Sequence, residues 1–454
     1  MERLITLVID YWHKPITMVV AFLAAFLCSL YFFSEIDINR VTIYGLILSV
    51  FIPSVIAVVW HLTTRVPRAR KSRTGIVIAI SAEGDEERIR LQNDFINVLR
   101  GALDDSNDLL RFDFVVLPKW HAEKIFDSDV AERYARKCHA HFLVFGNAKV
   151  RVLNGKESHV LRLRQLIVHK PIPTDLSKVF SQEMSEVFSG NINVSRENDL
   201  VGLEVTSVWL AEAAKYFIAV AALVSGDLNL SQSLLERLRG SKHLAALKNI
   251  QGVAKLRQLV PQRLSDVYLN KARYAQTRWR IDRGPRALEE MNENIEKYNK
   301  IVPESYDYRL LKAIWYFVNS RDINSALREL YACRGQSDAT WRYSAAFIEA
   351  YRGNIDDAVR LYEKAFTRPV EKHVPFEVEE FISWILESDK DKHQLFFCLG
   401  LLNLKAKEDL QQALSDFRTF LSESNGSDFP KAITLANRYV AEIEHKLGQL
   451  GTQG

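Results

Sequence analysis

Cysteine is scarce in this 454-residue chain: Cys28, Cys138, Cys333 and Cys398 lie far apart, with no C-x-x-C pair among them. That excludes a disulfide-stapled scaffold and fits a reducing compartment in which the thiols are free and mostly buried. Also missing are a G-K-S/T phosphate loop, an H-E-x-x-H zinc motif and a serine nucleophile elbow. A catalytic assignment has no motif to stand on, and no cofactor is called for.

Charge is absent from two stretches near the start. Ile16 to Phe33, "ITMVVAFLAAFLCSLYFF", and Val41 to Leu62, "VTIYGLILSVFIPSVIAVVWHL", contain no Asp, Glu, Lys or Arg. Each is long enough to cross a hydrocarbon core. The first lacks a small-residue cleavage site, and a cleaved signal would leave the second unexplained. Residues 1–63 are therefore expected to form a transmembrane hairpin with spans at about 16–33 and 41–62. Arg3 and Lys14 precede the first span, and Arg65, Arg68, Arg70, Lys71 and Arg73 follow the second within a basic linker, 64–74. By the positive-inside rule both termini lie in the cytoplasm, as in a multi-pass protein of a bacterial inner membrane. Tyr11, Trp12, Tyr31 and Trp60 fall where interfacial aromatics belong, and the linker's basic residues fit contact with anionic lipid.

From Gly75 the pattern changes to strand, helix, strand, helix and then two strands. "IVIAIS" is a β-branched run, and the next segment places Ile89, Phe95, Ile96, Leu99 and Leu103 at helical spacing. "RFDFVVLP" reads as a strand and "DSDVAERYARKC" as a helix with an Asp or Ser start signal. "HFLVFGNAKVRV" and "HVLRLRQLIVHK" form a hairpin around Asn154-Gly155. This order gives an α/β domain with a mixed sheet over 75–189, followed by a polar linker, 190–199. The opening strand, the helix ending "NVLRGAL" and "AERYARKCHAHFLVFGNAKVRV" resemble the amino-terminal α/β domain of TolB. They are also similar to related domains that precede tetratricopeptide arrays in bacterial cyclase-associated and regulatory proteins. The resemblance implies a non-catalytic role in assembly or sensing.

Residues 200–450 read as helical throughout. "VWLAEAAKYFIAVAALVSGDLNL" is apolar enough for a third span, but Glu212 and Lys215 in its middle argue for a packed helix. "WRYSAAFIEAYRGNIDDAVRLYEKAFTRP" closely resembles one tetratricopeptide repeat: Ala345 and Ala346 allow close approach, Gly353 turns the chain, Ala358, Tyr362 and Ala365 share a face, and Pro369 closes the unit. Ala287, Ala326 and Ala413 take the position of Ala358 in neighbouring segments. Their spacings of 39, 32 and 55 residues depart from the family's period of about 34, so insertions are expected. The fold class expected is thus a two-helix membrane hairpin, a small mixed-sheet α/β domain and an α-solenoid of tetratricopeptide-like repeats.

Three places invite chemistry. The turn "SAEGDEER" has one glycine and three acids, Asp85, Glu86 and Glu87, which complement a helix N-terminus and repel phosphate; an anion site or catalytic carboxylates are the minority readings. "KCHAH" gathers Cys138, His139 and His141 but lacks a second pair for zinc, so a structural role at a sheet end is expected. The third is electrostatic. Between Arg237 and Arg286 thirteen Lys or Arg face only Asp266 and Asp282, a net +11 that leaves −7 for the rest of a chain of total charge +4.

Arg257, Arg263, Lys271, Arg273, Arg278, Arg280, Arg283 and Arg286 are the candidates for holding an acidic partner or an anion. Tyr274 and Trp279 lie among them as potential stacking platforms. The opposing reading neutralises them internally with Glu289, Glu290, Glu293 and Glu296, or with the acidic run from Phe376. The function expected is a non-enzymatic scaffold or sensor that recruits a protein partner to the membrane, as a homo-oligomer or alone. Nucleic acid or nucleotide is the less favoured ligand. The alternative is a ligand-gated effector of a bacterial antiphage type, whose hairpin oligomerises and perturbs the membrane. A weak hydrolase or nuclease using Asp85, Glu86 or His139 is a third, distant reading.

Overall fold

The computed structural model describes residues 11–34, 41–71, 73–82, 84, 89, 91–104, 112–153, 156–167, 174–187, 191–195, 199–247, 252–368, 371–424 and 429–451. The protein is mostly helical with a small mixed sheet, and it divides into two compact units, 1–264 and 265–454.

In the first unit the β-branched runs become strands: β1 (Thr74–Ala82), β2 (Phe112–Val116), β3 (Phe142–Leu153) and β4 (Lys156–Ile167). A fifth, β5 (Asn191–Ser195), completes the order β2-β1-β3-β4-β5. The β1 strand runs parallel to both β2 and β3, whereas the β3–β4 and β4–β5 pairs are antiparallel. Leu153 pairs with Lys156, which leaves two residues for the hairpin connection; Asn154 and Gly155 themselves lie outside the described residues. The segment expected as a polar linker, 190–199, instead supplies β5. Ile192 and Val194 alternate with Asn191 and Asn193, and they stand in register with Leu161 and His159.

Ile76 to Ala79 are buried on both faces of the sheet, which therefore needs cover on each side. On one side Val77, Ala79, Leu143 and Phe145 pack with Ala131, Ala135 and Cys138 of α5 (Ser128–Cys138), which follows the single turn α4 (Lys119–Ala122). Asp127 caps α5 by accepting from the Val130 N–H at 2.7 Å. A π-turn, Leu91–Ile96, leads into α3 (Asn97–Asp104), burying Leu91, Phe95, Ile96 and Leu99. Its wider turn adds a residue to the helical period, so Ile89, which regular spacing places on the buried face, is exposed. The acids Asp85 to Glu87 lie outside the described residues.

The sheet's other side is covered by α7 (Asp199–Ser225), with Phe217 stacked on Phe142 at 6.1 Å. Its segment Val205–Ser225 is the one helix, among the described residues, long and apolar enough to cross a membrane, yet 72% of its most apolar stretch is buried inside the protein. Glu212 and Lys215 form a buried pair at 3.4 Å, and the Lys215 ammonium donates to the Ala102 carbonyl at 2.8 Å, near the C-terminal end of α3. Thus α7, expected to open a helical array, belongs to the sheet unit. The two units meet in sequence at Leu264/Ser265, inside α10 (Val253–Asp282), after α6 (Thr174–Val187), α8 (Leu228–Arg239) and α9 (Lys242–Ala246).

The helices α1 (Pro15–Ser34) and α2 (Val41–Thr64) occupy the two expected spans and pack on each other. Unlike α7 they leave large apolar side chains uncovered: Ile16 is 75% exposed, Leu27 62%, Phe51 61% and Leu62 61%. Their ends are clamped to the sheet unit. The Trp60 indole donates to the Trp12 carbonyl at 2.7 Å, His13 stacks on Trp120, and buried His121 places Nε2 at 3.1 Å from the Thr64 carbonyl and Nδ1 at 3.3 Å from the Tyr134 hydroxyl. A carbonyl only accepts, so His121 is the Nε2–H tautomer in this clamp.

The second unit is all helix among its described residues: the last part of α10, then α11 (Pro285–Asn299), α12 (Tyr306–Ser320), α13 (Ile323–Ala332), α14 (Thr340–Tyr351), α15 (Ile355–Phe366), α16 (Val374–Ser388), α17 (Gln394–Leu402), α18 (Leu410–Glu423) and α19 (Pro430–Gly451). Neighbouring helices pair as α12 with α13, α14 with α15, and α17 with α18. Ala326, Ala345, Ala346, Ala358, Tyr362, Ala365 and Ala413 are all buried at these crossings, and Gly353 turns the chain at φ +97°. Pro369 lies outside the described residues. The 55-residue interval between Ala358 and Ala413 has a plain cause: α16 is an extra helix between one pair and the next, packed on α14 and α17.

Two outcomes follow for the first unit. Lys215→Met strands the Glu212 carboxylate, whose Oε2 has no partner among the described residues, and denaturant titration should show a loss of about 3–5 kcal/mol that Glu212→Leu largely restores. Burial lowers the His121 pKa below 6.5, so the clamp is intact above that pH; below it the unfolded chain takes up the proton first and stability falls. Between about pH 7.5 and pH 5.5 the melting temperature of the wild type should fall more steeply than that of His121→Gln, and equal slopes would contradict the assignment.

Candidate functional site

The basic segment falls on both units, and most of it is engaged. In the first unit Arg257 donates to the carbonyls of Leu244 and Ala245 at 2.6 and 3.0 Å, closing the end of α9. Arg263 pairs with Glu183, which also accepts from the Tyr216 hydroxyl at 3.1 Å, while its guanidinium lies over the Phe180 ring. Burial and the Glu183 charge push the Tyr216 phenol well above its ordinary range.

In the second unit Arg273 meets Asp307 at 2.7 Å and Arg278 meets Glu290 at 2.9 Å. Lys297, and more weakly Lys271, hold the Glu293 carboxyl below its usual range. Arg280 bonds Glu377 at 2.6 Å and also pairs with Glu380. Arg283 approaches Glu380 at 3.8 Å and sits between two indoles, 4.7 Å from Trp279 and 4.5 Å from Trp384. Trp384 in turn has Arg321 over it at 5.5 Å, and Arg321 also covers Phe317 at 5.0 Å. Arg286 is exposed and has no ion-pair partner among the described residues.

The acids that meet Arg280 and Arg283 stand on α16. The same helix, with Glu377 on the shared face, helps enclose a cavity of about 160 Å³ among α10, α12, α13, α14 and α16. Trp279, Phe317, Phe347 and Phe381 give it an aromatic lining, with Phe347 and Phe381 edge to face at 5.1 Å. Gln276, Arg280, Thr340, Ser344 and Glu377 supply the polar groups. Gln276 has no hydrogen-bond partner among the described residues, whereas Ser344 already donates to the Thr340 carbonyl and the Thr340 hydroxyl to the Asp338 carboxylate. A cavity of roughly this volume holds a benzene-sized group. It has room for one aromatic or branched aliphatic side chain.

The cluster 137–141 serves the fold. Cys138 is buried, with its thiol pushed up to about 11 by desolvation; His139 ends α5 at φ 55° with Nδ1 3.2 Å from the Ala69 carbonyl; and the His141 ring accepts from the Gly75 N–H at 3.0 Å. Among the described residues no three His, Cys, Asp or Glu side chains converge on one point. In the basic linker Arg65, Arg68, Arg70 and Lys71 are exposed and Arg73 is half-buried, while the backbone is tied down by Arg70 N–H to Asp113 at 2.6 Å and Ala69 N–H to the Cys138 carbonyl at 2.7 Å.

Neither a protein-family model, nor a curated protein, nor a solved structure matches this chain. The site therefore rests on its own residues. Sequence reasoning singled out Trp279 and the acidic run but not Trp384, Arg321 or Phe347. Trp279 lies in the last turn of α10, and Arg283 follows the helix end at φ 53°, a left-handed turn that no spacing of residue types announces.

If the second unit consumes its positive charge internally, the chain binds heparin weakly, and Glu377→Gln with Glu380→Gln frees Arg280. On heparin the double variant should elute at clearly higher salt than the wild type, by about one to two phosphate equivalents in the salt dependence. Unchanged elution would mean that Arg280 is not held by these acids.

Proposed function

We propose that this protein is a membrane-anchored scaffold of the bacterial inner membrane, with both termini in the cytoplasm, whose second unit recruits a protein partner. In this reading α1 and α2 are the anchor, the sheet unit is a TolB-like spacer, and residues 265–451 form a tetratricopeptide-like array broken by α16. The observation that carries it is the cavity beside α16, which has the size and lining to receive one apolar anchor side chain of a partner. Anchors of this kind, buried in a central pocket with a charged rim, contribute most of the affinity at protein interfaces.

Two further features support the reading. The uncovered apolar side chains of α1 and α2 would be costly in water at about 25 cal/mol per Å², a penalty that lipid removes. The arginines that would serve a nucleotide or nucleic acid are largely occupied by carboxylates and rings. That favours a partner with an apolar anchor over an anionic ligand and over the ligand-gated effector.

The test fills the cavity. Ala313 is buried in its wall; in Ala313→Leu helicity should hold and stability should fall by no more than the about 1–3 kcal/mol that overpacking costs, while partner retention from detergent extracts of the full chain drops about tenfold or more. Full retention by the variant would overturn docking at the cavity. A protein with no partner dependent on residues 265–451 would overturn the scaffold.

A further inference from the structure

We infer that the sheet unit makes a second contact with the bilayer, through the loop from Lys119 to Asp127, and that this contact selects anionic lipid. The inference rests on the membrane reading of α1 and α2, and it starts from where their ends are held. Trp12, Trp60 and Trp120 gather at one place: the Trp12 indole donates to Thr63 Oγ1 at 3.0 Å, the Trp60 indole to the Trp12 carbonyl, and Trp120 stacks on His13 at 5.5 Å. His121 holds the last carbonyl of α2. Thus α4, although it follows α2 by more than fifty residues, stands at the ends of both helices, the level where indoles settle at a membrane surface.

From Trp120 the chain reaches Phe126 in six residues, at most about 20 Å. The loop is not loose there. Ile125 is buried below it and Asp127 caps α5, so the backbone on either side of Phe126 is fixed. Phe126 is nonetheless 73% exposed, the most uncovered aromatic side chain among the described residues. A rigidly presented phenyl ring has no use in the core of this unit, but it fits the boundary between headgroups and acyl chains.

The charge around it is mixed: Lys119, Glu123 and Lys124 precede Phe126, and Asp127, which accepts from the Val130 N–H, and the exposed Asp129 follow it. Glu123 lies 4.0 Å from Lys119, which leaves Lys124 exposed without an ion-pair partner among the described residues, as are Arg65 and Arg68 beside the end of α2. Basic groups at this depth meet phosphate oxygens of anionic headgroups, and a short aromatic wedge between them adds the apolar part.

The test uses the full chain with Cys28→Ser, in which the remaining thiols are inert at neutral pH because burial lifts Cys138 and Cys333 to about 11 and Cys398 to about 12. An environment-sensitive fluorophore is placed at Phe126→Cys, or at Val55→Cys in α2 as a reference. Each protein is reconstituted in vesicles of phosphatidylglycerol with phosphatidylcholine, or of phosphatidylcholine alone. The expected result is a blue-shifted label at both sites in the anionic vesicles, with quenching by aqueous iodide reduced several-fold. At Phe126 alone, that protection is lost in the neutral vesicles and with Lys124→Glu. A quenchable Phe126 label beside a protected Val55 label overturns the contact and leaves the anchor standing. A quenchable Val55 label overturns the anchor, and the contact with it. Protection at Phe126 that ignores headgroup charge overturns the choice of anionic lipid.

Discussion

The second unit depends on the clasp between α16 and the end of α10. Arg280 holds Glu377 and Glu380, and Arg283 is pressed between Trp279 and Trp384, the second of which also carries Arg321. These groups are partly withdrawn from water, where each cation–π contact contributes about 0.5–2 kcal/mol and a half-shielded ion pair more than an exposed one. The clasp has two consequences. It removes positive charge that the sequence alone leaves on display, and it fixes α16 at the angle that encloses the aromatic cavity. The same insertion that breaks the regular spacing of buried alanines therefore helps build the aromatic-lined cavity.

Two kinds of apolar helix occur in this chain, and burial separates them where hydropathy does not. The α7 helix packs on the sheet, and the pair Glu212–Lys215 is affordable there because the ammonium also reaches the Ala102 carbonyl. The α1 and α2 helices carry no such charges and leave Ile16, Leu27, Phe51 and Leu62 uncovered. In the proposed reading those surfaces face lipid. The tryptophans and His121 then join the two helices to the sheet unit without a flexible spacer, since the basic linker's backbone is bonded to Asp113 and Cys138.

Much of this was legible in the residues because it follows from period and composition. The β-branched runs, the Asp cap before α5 and the small residues at Ala345, Ala346 and Ala358 all appear where spacing places them. Three features were not legible, for physical reasons. The β5 strand is five residues of mixed polarity whose pairing is decided by β4, not by local propensity. The π-turn at Leu91 shifts the helical face through backbone hydrogen bonding that no side-chain pattern announces. The partners of the basic residues lie about a hundred positions away in the case of Arg280, so a count of charges along the chain cannot tell a free face from a paired one.

The central claim is that a partner docks at the cavity beside α16 and not on a free basic face. The direct measurement is photocrosslinking in living cells, with a small diazirine-bearing aliphatic residue in place of Val378 in the cavity wall or of the exposed Arg286. The account predicts a discrete covalent adduct from position 378 and none from position 286. An adduct from 286 with none from 378 would contradict it.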